Sequence, residues 1–67
     1  MIELINEAAE ACNAGRLRES EALLRRVLNE EPAHAMALDL MGELRIREKR
    51  YDEAIEYCEA AVRNGAR

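Results

Sequence analysis

The fold is decided by residues 51–62, which read Tyr51-Asp52-Glu53-Ala54-Ile55-Glu56-Tyr57-Cys58-Glu59-Ala60-Ala61-Val62. The apolar residues of this stretch recur every three or four positions, which is the period of one face of an α-helix. They are Ala54, Ile55, Cys58, Ala61 and Val62. Asp52 is a suitable N-cap residue, and Asn64-Gly65 is a helix stop signal. These features predict a helix over residues 52–63.

Three earlier segments show the same period and predict helices over residues 2–14, 18–30 and 35–48. Gly15 and Pro32 fall between these segments, where helices commonly end. The last turn holds Lys49 in place of a glycine, and a left-handed Lys49 would cost about 1 kcal/mol or more. No segment alternates polar and apolar residues over the length of a strand. The sequence therefore predicts an all-α fold of four antiparallel helices.

The two pairs of predicted helices match each other when the chain is shifted along itself so that residue 1 falls on residue 35. Small residues then meet small residues, and large apolar residues meet apolar ones. The matching pairs include Leu4 with Leu38, Ala8 with Gly42, Ser20 with Ala54, and Leu28 with Val62. This pattern predicts two repeats, over residues 1–34 and 35–67, packed together as one structural domain.

The period of about 34 residues and the stretch over residues 42–57 resemble the tetratricopeptide repeat (TPR) family. The run from Tyr51 to Tyr57 is similar to the start of the second helix of that repeat. The resemblance covers essentially the whole chain and implies an α–α superhelix of two helix-turn-helix hairpins. The chain departs from the family pattern at Ala11 and Arg45, where the family has an aromatic residue, and at Lys49 in the turn. Alternatively, any two helical hairpins can share a loose apolar period.

The same resemblance implies a concave surface, lined by the first helix of each repeat, that binds a protein partner. Its positions are Ile2, Ile5, Asn6, Ala9, Cys12 and Asn13 in the first repeat, and Met36, Asp39, Leu40, Glu43, Ile46 and Arg47 in the second. Asp39 and Glu43 would repel a peptide carboxylate, whereas the apolar residues suit an amphipathic helix or an extended apolar peptide. Alternatively, these apolar residues pack within the chain or across a dimer.

The sequence predicts no catalytic, cofactor-binding or metal-binding residues. His34 is the only histidine and lies between the repeats, and Ser20, the only serine, occupies a small-residue packing position. Cys12 and Cys58 fall on separate predicted helices, so they supply no ligand cluster for a metal. We expect Cys58 to be a buried, inert thiol and Cys12 to face the concave surface.

Composition narrows the possible partners. The chain has 67 residues, of which 10 are basic and 14 acidic, and its formal charge of −4 leaves no basic face for nucleic acid. No apolar run approaches the ~20 residues of a membrane span, and the N-terminus lacks the basic residues of a signal peptide. The two cysteines form no regular disulfide framework, which indicates a reducing compartment. We therefore expect a cytoplasmic protein that binds neither nucleic acid nor membrane.

These observations favour a non-catalytic protein–protein interaction module, a scaffold or adaptor that binds a peptide or helix. Two alternatives stay open. A hairpin of this kind cannot bury its apolar face alone, so we expect self-association, for which a homodimer is the commonest closed form. In the first alternative the chain is only such a structural homo-oligomer. It could also be an accessory repeat pair of a larger enzyme or regulator.

Overall fold

Four α-helices make up the fold, and the part of the chain that the computed structural model describes, residues 2–65, contains no strand. Met1, Ala66 and Arg67 lie outside the described residues. The helices are α1 (Ile2–Asn13), α2 (Leu17–Glu30), α3 (Ala35–Arg47) and α4 (Tyr51–Arg63). Compared with the predicted bounds, α1 and α3 end one residue earlier, and α2 and α4 begin one residue earlier. The all-α prediction is confirmed, and the helices pack as two hairpins joined by a short linker.

The turn of the first hairpin depends on a left-handed residue. Gly15 has a φ of +84°, a conformation that a glycine adopts without the steric cost of a Cβ atom. Its amide donates to Cys12 O at 3.1 Å, and the Arg16 amide donates to Ala11 O at 2.8 Å. These two bonds form a Schellman motif, which satisfies the last carbonyl groups of α1.

The turn of the second hairpin has the same geometry at the equivalent position, without a glycine. Lys49 has a φ of +64°, and its amide donates to Ile46 O at 2.9 Å. The Arg50 amide donates to Arg45 O at 2.8 Å. The backbone therefore adopts one motif at both turns, and Lys49 bears the steric cost that a left-handed conformation imposes on a residue with a side chain.

The helix N-termini differ from the sequence-based prediction. α4 begins at Tyr51 with Arg50 in the N-cap position, and no side chain caps it, so the prediction that Asp52 is the N-cap is wrong. The reason is that the Schellman motif of the preceding turn leads straight into the helix one residue earlier. At the start of α3, by contrast, His34 Nδ1 accepts a hydrogen bond from the Ala37 amide at 3.3 Å. His34 is therefore a capping residue of the linker.

A single apolar core lies between the four helices. Its largest fully buried apolar side chains come from α1, α2 and α3, and they are Ile5, Cys12, Leu24, Val27, Met41 and Leu44. Burying an aliphatic side chain of this size contributes about 1.5–3 kcal/mol. The two hairpins share this core, since α2 and α1 both contact α3.

Each hairpin contains one close approach between its helices. In the first, the buried Ser20 hydroxyl donates to Ala8 O at 2.8 Å and ties α2 to α1. In the second, a Cβ atom on Gly42 would lie 2.6 Å from Cys58 Sγ, so α3 and α4 approach closely only because residue 42 has no side chain. Ala8 and Gly42, which are equivalent positions of the two hairpins, are therefore both small where the two helices of a hairpin meet.

A buried arginine joins three of the helices. The side chain of Arg45, on α3, is only 3% exposed. Its guanidinium donates to both carboxylate oxygens of Glu21 on α2 at 3.3 Å, and to Glu48 Oε1 at 2.7 Å. On the α4 side its Nε lies 3.3 Å from Glu53 Oε1, and its Cζ lies 5.9 Å from the centre of the Tyr57 ring. We call Arg45 and these four residues the Arg45 network.

The Arg45 network has an electrostatic signature. Hydrogen bonds from Arg45, and then from Arg25, lower the pKa of Glu21 to about 2. The same bond to Glu21 raises the pKa of Arg45 above its ordinary value, against the opposing effect of burial. Arg45 Nε is buried without a hydrogen bond. The hydrogen bonds of Arg45 are therefore made by its two Nη atoms, to Glu21 of α2 and to Glu48 at the end of α3. The contact with Glu53 of α4 is an ion pair without a hydrogen bond.

Candidate partner-binding surface

The first candidate site is the face formed by α1 and α3, which contact each other. Most of the residues predicted to bind a partner are exposed here. These residues, which we call the α1–α3 surface, are Ile2, Asn6, Asn13, Met36, Asp39, Glu43, Ile46 and Arg47. Ala9 and Leu40 belong to the same predicted set but are half-buried, and Leu40 packs against the core.

Two residues of the predicted set do not lie on this face. Ile5 and Cys12 are buried in the core, so the expectation that they face a partner is wrong. They lie three residues before and four residues after Ala8 in a buried stripe along α1, and this stripe packs toward the rest of the core. This spacing alone indicates that Ile5 and Cys12 lie on the buried side of α1, whereas the family positions assigned both residues to the partner-binding side.

Four side chains meet where α1 and α3 run side by side. Arg47 Nη2 donates to Asn13 Oδ1 at 3.5 Å, and Arg47 Nε lies 3.7 Å from Glu43 Oε2. The Cys12 thiol donates to the same Glu43 oxygen at 3.7 Å. Burial raises the pKa of Cys12, and the Glu43 carboxylate acts in the same direction against Arg47. The thiol is therefore held in its protonated form, which is a poor nucleophile.

Large apolar side chains are exposed on the same two helices as this polar group. Ile2, Met36 and Ile46 are between 49% and 58% exposed. Exposed apolar side chains next to hydrogen-bonding groups are the combination from which peptide-binding surfaces are built. The α1–α3 surface can therefore offer apolar contacts to a ligand and polar contacts to its backbone.

The second candidate site is the outer face of α4. Tyr51, Ile55 and Val62 are between 56% and 67% exposed. Cys58 lies between them and is half-buried, not fully buried as predicted, because its Sγ fits over Gly42 while its other side stays open. These four residues, which we call the α4 seam, line two adjoining shallow depressions, one of which also reaches Ile46 of α3. The sequence indicated this apolar stripe but not which part of it the core would cover.

Within residues 2–65, no three His, Cys, Asp or Glu side chains form a cluster that could hold a metal ion. Of the helices described above, none has the length and apolar composition needed to cross a bilayer. Comparisons of the chain with protein-family models, with curated proteins and with solved structures found no match. The α1–α3 surface and the α4 seam are therefore the features from which a function can be inferred.

Proposed function

We propose that this chain is a non-catalytic protein–protein interaction module that binds a peptide or an amphipathic helix on the α1–α3 surface. The observation that carries the proposal is the exposure of Ile2, Met36 and Ile46 on one face. Removing apolar surface from water is favourable by about 25 cal/mol per Å². A partner that covers these three side chains gains this stabilisation, and a free monomer does not.

The polar group on the same surface limits the chemistry of the partner. Asp39 and Glu43 are exposed carboxylates, and Arg47 is already engaged with Asn13 and Glu43. A ligand carboxylate would meet two negative charges and one neutralised cation, so it would bind weakly. The surface favours a partner segment that is apolar and has few acidic side chains.

The recurrence of one turn geometry at Gly15 and Lys49, the equivalent positions of the two hairpins, supports the further proposal that the chain is a TPR-like scaffold. Helical repeats of this kind present extended surfaces to other proteins. The step from such a fold to protein binding is an argument by analogy, which is why the exposed apolar side chains carry the proposal. Because Cys12 and Cys58 are both free thiols, we also propose a reducing compartment, the cytoplasm.

The test is selection of short peptides from a displayed library on the immobilised full chain, followed by affinity measurement. We expect apolar peptides to be selected and Met36→Glu to weaken their binding at least about tenfold, which is about 1.4 kcal/mol. Ala22→Glu is the matched control, because it places the same charge on an exposed position of α2 that lies outside both surfaces. Circular dichroism checks that both variants stay helical. Failure to select peptides, or equal binding by the parent chain and Met36→Glu, would contradict the proposal.

A further inference from the structure

The α4 seam has the pattern of a helix–helix interface. Tyr51, Ile55, Cys58 and Val62 follow one another at spacings of four, three and four residues. This is the spacing of the apolar positions through which one helix packs along another. Tyr51, Ile55 and Val62 are exposed, and no part of the chain from residue 2 to residue 65 covers them. The seam is thus arranged to receive a helix.

The first hairpin has an equivalent face on α2, and the neighbouring helix α3 covers it. The positions of the first repeat that are equivalent to the α4 seam are Leu17, Glu21, Leu24 and Leu28 of α2. Leu24 is fully buried, Leu17 and Leu28 pack against the core, and Glu21 bonds to Arg45 of α3. In α2, therefore, every position of this face is in use, and an adjacent helix contacts it.

The α4 seam differs in charge from its counterpart at one position. Ile55 stands where α2 has Glu21. A helix that packs on the seam therefore meets an apolar side chain at the place where α3 presents Arg45 to a carboxylate. No seam residue carries a charge. Charged residues can therefore discriminate between partner helices only from positions beside the seam.

Those edges are acidic. Asp52 and Glu59 are exposed, each lies next to a seam residue, and they are two helical turns apart on one side of α4. Neither takes part in an ion pair within residues 2–65. On α3, Asp39 is an exposed carboxylate two helical turns before Ile46. Arg63 is the basic residue that lines the depression near Val62, at the C-terminal end of α4.

Charge also argues against a second copy of this chain as the occupant. Two α4 seams packed antiparallel would bring the Asp52 and Glu59 edges of the copies together, and Arg63, four residues after Glu59, would offset only part of that negative charge. Flanking charges of this kind decide which helices pair, and like charges disfavour the pairing. The chain also carries a net charge of −4.

We propose that the α4 seam binds an amphipathic helix of a partner protein, one with an apolar stripe at the same spacing and Lys or Arg along its edges. This surface borders the α1–α3 surface at Ile46, but it presents the apolar side chains of α4 to a different occupant. The partner's basic side chains would pair with Asp52 and Glu59, while its apolar stripe covers Ile55 and Val62.

The test uses two synthetic helical peptides with the same leucine stripe, one with lysine edges and the other with glutamate edges. Binding to the full chain is measured by titration calorimetry at low salt. We expect the lysine-edged peptide to bind at least about tenfold more tightly, with a preference that falls as salt screens the charges. Ile55→Lys should abolish binding. Ala22→Lys, which places the same charge on an exposed position of α2 outside both surfaces, should not.

The double variant Asp52→Lys/Glu59→Lys tests the edges directly, and it should reverse the preference in favour of the glutamate-edged peptide. Equal affinities for the two peptides, or binding that survives Ile55→Lys, would overturn the proposal. A stable dimer of the parent chain that Ile55→Lys converts to a monomer, seen by light scattering, would also overturn it, because a second copy would then occupy the seam. None of these variants changes a residue of the α1–α3 surface, so the result stands apart from the test of that surface.

Discussion

Replacing Glu21 by glutamine tests whether the Arg45 network holds the two hairpins together. The substitution keeps the size of the side chain but removes the charge that Arg45 contacts through both carboxylate oxygens. Arg45 keeps its bond to Glu48 but loses its strongest partner on α2. We therefore expect the helices to form and the free energy of unfolding to fall.

The size of the loss follows from the pKa of Glu21, which is about 2 in the folded chain against an ordinary value of 4.5. A tenfold change in an acid dissociation constant is worth about 1.4 kcal/mol, so the interactions of Glu21 with Arg45 and Arg25 are together worth about 3 kcal/mol at most. The Glu21 side chain is 24% exposed, and solvent screens part of this interaction. We expect Glu21→Gln to lower the free energy of unfolding by about 2 kcal/mol at pH 7.

The pH dependence has a defined sign. Because folding lowers the pKa of Glu21, its stabilisation is fully present above about pH 4.5 and is lost as the pH falls toward 2. The difference between the parent chain and Glu21→Gln should therefore be constant from pH 7 to about pH 5 and should shrink at lower pH. Urea unfolding followed by circular dichroism measures this difference. Glu56→Gln, which removes an exposed carboxylate with no ion pair in residues 2–65, is the control.

Two results would refute this reasoning. If Glu21→Gln and Glu56→Gln change stability equally at pH 7, the Arg45 network contributes nothing that an exposed charge does not. If Glu21→Gln is destabilised by an amount that does not vary with pH down to about pH 3, the loss comes from packing and not from the carboxylate charge.

Two further predictions concern the close packing at Gly42 and the turns of the two hairpins. Gly42→Ala should destabilise the chain by about 1–3 kcal/mol in thermal unfolding, because its Cβ would lie 2.6 Å from Cys58 Sγ. Adding Cys58→Ala should restore most of the lost stability. If Cys58→Ala restores none of it, the clash does not involve Cys58. Lys49→Gly should stabilise the chain by about 1 kcal/mol by relieving a left-handed lysine, whereas Gly15→Ala should destabilise it by a similar amount. Changes of the same sign in urea unfolding would contradict the idea that the two turns share one geometry.

The helices and their turns could be predicted from the sequence because local rules govern them. Apolar spacing indicates each helix, and alignment of the two repeats places Lys49 where Gly15 lies, so its left-handed conformation followed from alignment alone. The cap of α4 was missed because the turn motif, and not the Asp52 side chain, fixes where that helix begins.

The surfaces were harder to predict because they depend on contacts between helices. Family positions placed Ile5 and Cys12 on the partner side of α1, although their spacing with Ala8 forms a buried stripe. The sequence marked Arg45 as a departure from an aromatic residue. It did not indicate that a carboxylate of α2 would bond to Arg45, because Glu21 lies 24 residues away in the chain.

The placement of Arg45 also determines what the natural building block of this protein is. A cut in the linker near His34 would leave Arg45 on one fragment and Glu21 on the other, with a buried cation deprived of its principal counter-charge. The hairpins are therefore not interchangeable modules that can be shuffled singly. An engineer who lengthens this chain must transplant the arginine together with an acceptor on the preceding hairpin, and should treat the pair as the unit of exchange.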